Sequence, residues 1–176
     1  MAALPQGIRD EHRELGAHIE LLRTVADSIG SAPTEALREG VGQASIFLIH
    51  QLIPHAQAEE QVLYPTVARL LRAVEATETM SRDHLEVIRL TEELEALRLH
   101  LFYAPLSESD EQALRRVLYG LYAIIKLHLA KEEEIYLPIL EARLPAEEGH
   151  GLVEAMERTV TEAKSSLRMR DRREET

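Results

Sequence analysis

The chain has 176 residues, 31 of them acidic and 20 basic, and its formal net charge of −11 argues against binding a phosphate backbone. It contains no cysteine, which excludes disulfides, thiolate metal sites and a cysteine nucleophile. Leu, Ala, Glu and Arg dominate, Trp is absent and Phe occurs twice, the balance of a helical protein long enough to bury one core without staples.

The N-terminus lacks the basic and apolar regions of a signal peptide, and no apolar run is long enough to span a bilayer. A soluble cytoplasmic protein is the expectation. In chain order, Ile8, Leu15, Ile19, Leu22 and Ile29 form one helical stripe that includes His12. Gly30-Ser-Ala-Pro33 stops this helix and starts the next. The second helix is predicted from Thr34 to Val74, with a stripe of Val41, Ala44, Leu48, Leu52, His55, Glu59 and Val62. Pro54 and Pro65 should bend it, because each removes a hydrogen bond and crowds the preceding turn.

Thr77 or Thr79 can cap a third helix, whose stripe is Met80, His84, Val87, Ile88, Thr91 and Leu94 and which Pro105 ends. Ser109 with Gln112 has the form of a capping box for a fourth. Its stripe is Leu114, Val117, Leu121, Ile124, Ile125, His128, Glu132, Ile135 and Ile139. After Pro145 and Gly149 a shorter helix is predicted over about 150–165, then a charged, frayed tail over 168–176. The sum is a single all-α domain: an up-down-up-down four-helix bundle over about 5–144 with an additional short C-terminal helix.

Two stretches read as copies: His55-Ala-Gln-Ala-Glu59-Glu60 running to Pro65, and His128-Leu-Ala-Lys-Glu132-Glu133 running to Pro138. A helix turns about 100° per residue, so a His and a Glu four apart share a face. His12 and His84 are 72 residues apart, and His55 and His128 are 73 apart, so the second helical hairpin echoes the first. Burying four imidazoles and two carboxylates without partners would cost several kcal/mol per group. Metal cations compensate. His12, His55, Glu59, His84, His128 and Glu132 suit iron, with zinc or manganese as substitutes, and six donors fit two ions better than one. Glu60 and Glu133 point roughly 140° from their histidines, which suits solvated or supporting roles. His18, His50, His100 and His150 fall off the stripes or in a turn and read as background.

This pattern, His12, His55-x-x-x-Glu59, His84 and His128-x-x-x-Glu132, resembles the hemerythrin-like family, the HHE cation-binding domains. The flanking Asp10-Glu-His12, Glu59-Glu60-Gln-Val-Leu-Tyr-Pro65 and Glu132-Glu-Glu-Ile-Tyr-Leu-Pro138 are similar to it as well. Ferritin-like bundles differ, using Glu-x-x-His. The resemblance implies two iron ions with a bridging oxo or hydroxo group, His12 and His55 on one, His84 and His128 on the other, and Glu59 and Glu132 as bridges. Oxygen-carrying members have a further histidine where Ile88 stands, and His-x-x-x-x-Asp where this chain has His128-x-x-x-Glu132. The absent histidine opens a coordination position, to which Tyr64 and Tyr136 are candidates, as ligand or as supporting group.

With positions open on both metals, the substrates indicated are hydrogen peroxide, O2 and NO. Catalase-like peroxide dismutation or protection against oxidative and nitrosative stress leads, with the metal centre itself as the catalyst. The alternative is an oxygen- or iron-sensing module, or an oxygen store without turnover. Neither a nucleic acid nor a membrane is an expected partner.

Overall fold

The computed structural model describes residues 3–104 and 106–174. Among them are five helices and no strand: α1 (Ala3–Ser28), α2 (34–71), α3 (Glu78–Tyr103), α4 (108–143) and α5 (Ala146–Glu174). They form a helical bundle in which α1 packs along α4 and α2, α3 packs along the same two helices, and α5 lies against α1 and α2.

Local chemistry sets most of the ends. Gly30, at φ 81°, makes the turn out of α1 in a region that costs other residues a steric penalty. Arg72 closes α2 in the left-handed conformation at φ 54°. A short 3-10 turn, Val74–Thr77, leads into α3; Thr77 occupies the N-cap position without capping through its side chain. Ala104 is extended after α3, as a residue preceding proline must be, while the expected stop, Pro105, lies outside the described residues. The capping box of α4 is Ser107 with Asp110 rather than Ser109 with Gln112. The helix already begins at Glu108, so Ser109 lies inside its first turn.

Prolines do not interrupt α2 and α4. Each follows a single widened turn: 48–52 before Pro54, 59–63 before Pro65, and 132–136 before Pro138. There the N–H groups of Ile53, Tyr64 and Leu137 bond to carbonyls five residues back, those of Leu48, Glu59 and Glu132. Such a π turn inserts one extra residue and relieves the proline of its clash with the preceding turn.

The extra residue slips the buried stripe by one position. Instead of Val62, Ile135 and Ile139, the fully buried residues are Leu63, Tyr64 and Val67 on α2, and Tyr136, Leu137 and Leu140 on α4; Ile135 is exposed. α5 is also longer than the sequence indicated, beginning at Ala146 and continuing to Glu174, into the stretch expected to fray. No Gly or Pro follows Gly151, and the Glu-, Ala-, Lys- and Arg-rich remainder has high helix propensity.

Two apolar clusters make the core. One contains Leu15, Leu52, Val87 and Leu129; the other contains Ile8, Ala58, Met80 and Leu137 together with Leu152 and Met156 from α5. On each of α1 to α4 a histidine falls between residues of the two clusters, so the polar groups lie in a layer walled off by apolar packing on both sides.

Candidate metal centre

His12, His55, His84 and His128, one from each of the first four helices, are all buried, and Glu59 and Glu132 are 0 % exposed. Donor atoms of His12, His55, Glu59 and Glu132 lie within 4.8 Å of one another, as do those of Glu59, His84 and His128. Glu59 thus belongs to both groups. Its Oε1 is 2.8 Å from His55 Nε2 and its Oε2 is 3.1 Å from His84 Nε2. Glu132 reaches across in the same way, with Oε2 3.4 Å from His12 Nε2 and Oε1 3.5 Å from His128 Nε2. The six residues singled out by helical spacing converge on one place.

An outer ring of carboxylates faces the other nitrogen of every imidazole. His84 Nδ1 is 2.8 Å from Glu60 Oε1, His12 Nδ1 is 3.2 Å from Glu133 Oε1, and His128 Nδ1 is 3.1 Å from Asp83 Oδ2. His55 Nδ1 lies 3.2 Å from Glu11 Oε1, an ion-pair distance without hydrogen-bond alignment. Ser81 donates to Glu60 in turn, and Lys131 pairs with Asp83. An N–H held at Nδ1 leaves the Nε2 lone pair facing inward, the arrangement that fixes imidazoles around a metal. Glu60 and Glu133 therefore support histidines rather than standing free in solvent. Glu11 and Asp83 are additional members that helix periodicity alone misses. The internal repeat carries their signal, because each immediately precedes the first histidine of its hairpin.

Without a cation this geometry is frustrated. His84 Nε2 and His128 Nε2 stand 3.0 Å apart. With both Nδ1 atoms donating outward, two lone pairs would face each other. His12 Nε2, His55 Nε2, both oxygens of Glu59 and Glu132 Oε2 are buried without a hydrogen-bond partner, and such orphans are rare in folded proteins. Burial opposes charge on His55, yet Glu59 and Glu11 outweigh it and hold its pKa well above the ordinary value. His128 is pushed up to about 10 as Glu132 and Glu59 overcome burial. Glu59 is held well below the usual carboxylate range, its own burial being outweighed by His55, His12 and His128. Glu132 is raised by burial and by the adjacent Glu59. The raised values of His55, His128 and Glu132 express an appetite for positive charge that a metal ion bound by imidazoles and carboxylates would fill.

Tyr64 enters the cluster because of the widened turn before it. Its hydroxyl donates to Glu132 Oε1 at 2.8 Å and lies 3.1 Å from His128 Nε2 and 3.5 Å from His84 Nε2. Burial and the charges of Glu59 and Glu132 raise its pKa, so it keeps its proton there. Tyr136 does not join it: its hydroxyl donates to the Ala76 carbonyl at 2.8 Å, because the same slip turns its ring away from the donors. Ile88, expected on the buried stripe of α3, is 36 % exposed. The remaining histidines are elsewhere. His18 stacks on Phe47, His100 pairs with Asp110, and His50 and His150 join neither donor group.

The model of the hemerythrin HHE cation-binding domain matches residues 5–140, a span holding all six inner donors and all four outer carboxylates. The chain belongs to the hemerythrin family. No curated protein and no solved structure matches it significantly. In this hemerythrin domain the His/Glu cluster is the group of residues that could hold a cation, and α5 adds apolar cover beyond the matched span through Leu152 and Met156. No helix among the described residues is long and apolar enough to cross a membrane.

Proposed function

We propose that this hemerythrin domain binds two iron ions and disproportionates hydrogen peroxide to water and O2. One ion would be held by His12 and His55, the other by His84 and His128, with Glu59 and Glu132 bridging and an oxo or hydroxo group between the metals. The observation that carries this reading is the division of buried donors into two groups sharing Glu59. Each ion then has fewer protein ligands than an octahedral site takes, which leaves room for a small molecule. Bound iron supplies two-electron exchange, oxidising one peroxide to O2 and reducing a second to two waters. Glu11, Glu60, Asp83 and Glu133 hold the four imidazoles in the tautomer that binds metal. The Tyr64 hydroxyl keeps a proton beside Glu132 Oε1, and the apolar layers on either side exclude bulk water and large substrates.

The scaffold in this reading is an up-down-up-down arrangement of α1 to α4 within one cytoplasmic domain. Elemental content of two irons per chain, with O2 evolution from peroxide that metal-free and zinc-loaded protein lack, tests it. Iron-loaded protein that evolves no O2 above those controls overturns the catalytic part.

A second reading, a sensing or storage module, draws on the unpartnered donors. Filling them makes metal affinity into folding free energy, so occupancy itself is a signal. A large loss of melting temperature on chelation, in protein without turnover, favours it.

A further inference from the structure

Every histidine of the cluster is at most 7 % exposed, so a ligand must pass between side chains to reach it. A groove of about 420 Å³ between α1 and α4 has His12 and Glu133 in its lining. Another, of about 500 Å³ between α1 and α5, reaches Glu11 but no histidine. The first also carries Arg9, Arg13 and Lys126 against two carboxylates, Glu20 and Glu133. All three cations are already paired, Arg9 with Glu141, Arg13 with Asp10 and Lys126 with Glu20, so among the described residues the groove holds no free positive charge.

Glu133 and Glu11 are the outer carboxylates most free to yield, and of the two only Glu133 lines a groove that reaches a cluster histidine. Glu60 is tied by Ser81 and Asp83 by Lys131, whereas Glu133 is 43 % exposed and makes only its His12 contact among the described residues. Helix α1 leaves the passage open at Gly16, where an added Cβ would meet nothing within 4 Å. We propose that this α1–α4 groove is the passage by which small ligands, neutral or anionic, reach the His12 side of the cluster. This inference rests on the reading that the cluster holds metal.

Azide association with iron-loaded protein, followed by absorbance in a stopped-flow mixer, tests it. Gly16→Trp fills the groove from a position where a side chain is otherwise accommodated, and any residue but proline raises helix propensity there. A plugged passage slows azide association and dissociation by one factor, at least about tenfold, a barrier rise of about 1.4 kcal/mol, and leaves azide affinity unchanged. Gly16→Leu gives a smaller effect of the same form. Gly42→Trp on α2, also in open space, leaves both rates at wild-type values.

Two irons per chain in Gly16→Trp or Gly16→Leu with azide rates within twofold of wild type overturns the passage while leaving metal binding intact. Damage to the metal site would instead alter affinity or iron content in Gly16→Trp and Gly16→Leu, and that also overturns it. Wild-type protein that takes up no metal overturns the parent reading and this one together.

Discussion

Stripping the cation from this protein should cost it a large part of its stability. Five inward-facing donor atoms lack a hydrogen-bond partner: His12 Nε2, His55 Nε2, both oxygens of Glu59 and Glu132 Oε2. A buried polar atom left unpaired costs about 1–3 kcal/mol, so the five together come to roughly 5–15 kcal/mol. Whole domains are stable by only about 5–15 kcal/mol. Protonation softens the blow, because His55 and His128 take up protons readily beside Glu59 and Glu132, and the lower end of the range governs. For a chain of this size, losing roughly 5 kcal/mol lowers the melting temperature by about 10–20 °C. Calorimetry on protein as purified, after dialysis against chelator, and after metal is returned should show the fall and its reversal. Glu59→Leu should lower the melting temperature of the metal-free form further, because it removes the carboxylate that pairs with His55 and leaves that buried imidazole without its counter-charge. Metal-free and metal-loaded wild type melting within about 3 °C of each other would refute the reasoning.

Three further outcomes are expected. Tyr64→Phe removes a hydrogen bond to a buried carboxylate and should destabilise metal-free protein by about 1.5–3 kcal/mol, against about 0.5–1.5 kcal/mol for Tyr136→Phe, whose partner is a backbone carbonyl. Urea midpoints measure both. Phe47→Ala empties a site 1 % exposed and should cost about 3–5 kcal/mol in the same assay while leaving metal content unchanged. Glu95 has its pKa raised by partial burial but lowered further by hydrogen bonds from Arg98 and Ser45, for a net fall below the ordinary 4.5. Its contribution to stability is therefore present above that value and lost as pH falls through the folded-state pKa. Urea midpoints of wild type and Glu95→Gln should converge under acid; curves that stay parallel below pH 4.5 count against the pairing.

The inner donors were legible because their signal is periodic. His55 and Glu59, like His128 and Glu132, sit one α-turn apart, and repetition of the pattern across two hairpins makes coincidence implausible. Tyr64 was harder to place because projection at a constant 100° per residue sends it to the far side of α2. The turn over Glu59–Leu63 is wider than that projection allows, and the same error misplaced Val62, Ile135 and Ile139. Pro65 and Pro138 carried the missing information. A proline within a buried helix needs a turn that clears the carbonyl behind it, and a π turn supplies one as readily as a bend. The extent of α5 was underestimated for a different reason: high charge was given more weight than helix propensity.

Two of the four outer carboxylates cross between the hairpins. Glu60 of α2 supports His84 of α3, and Glu133 of α4 supports His12 of α1, while Glu59 and Glu132 reach over the same divide. Neither hairpin alone owns a finished seat for an ion. Docking of the two halves and capture of a metal ion would then be one cooperative event, because the first hairpin lacks Glu132 and the second lacks Glu59.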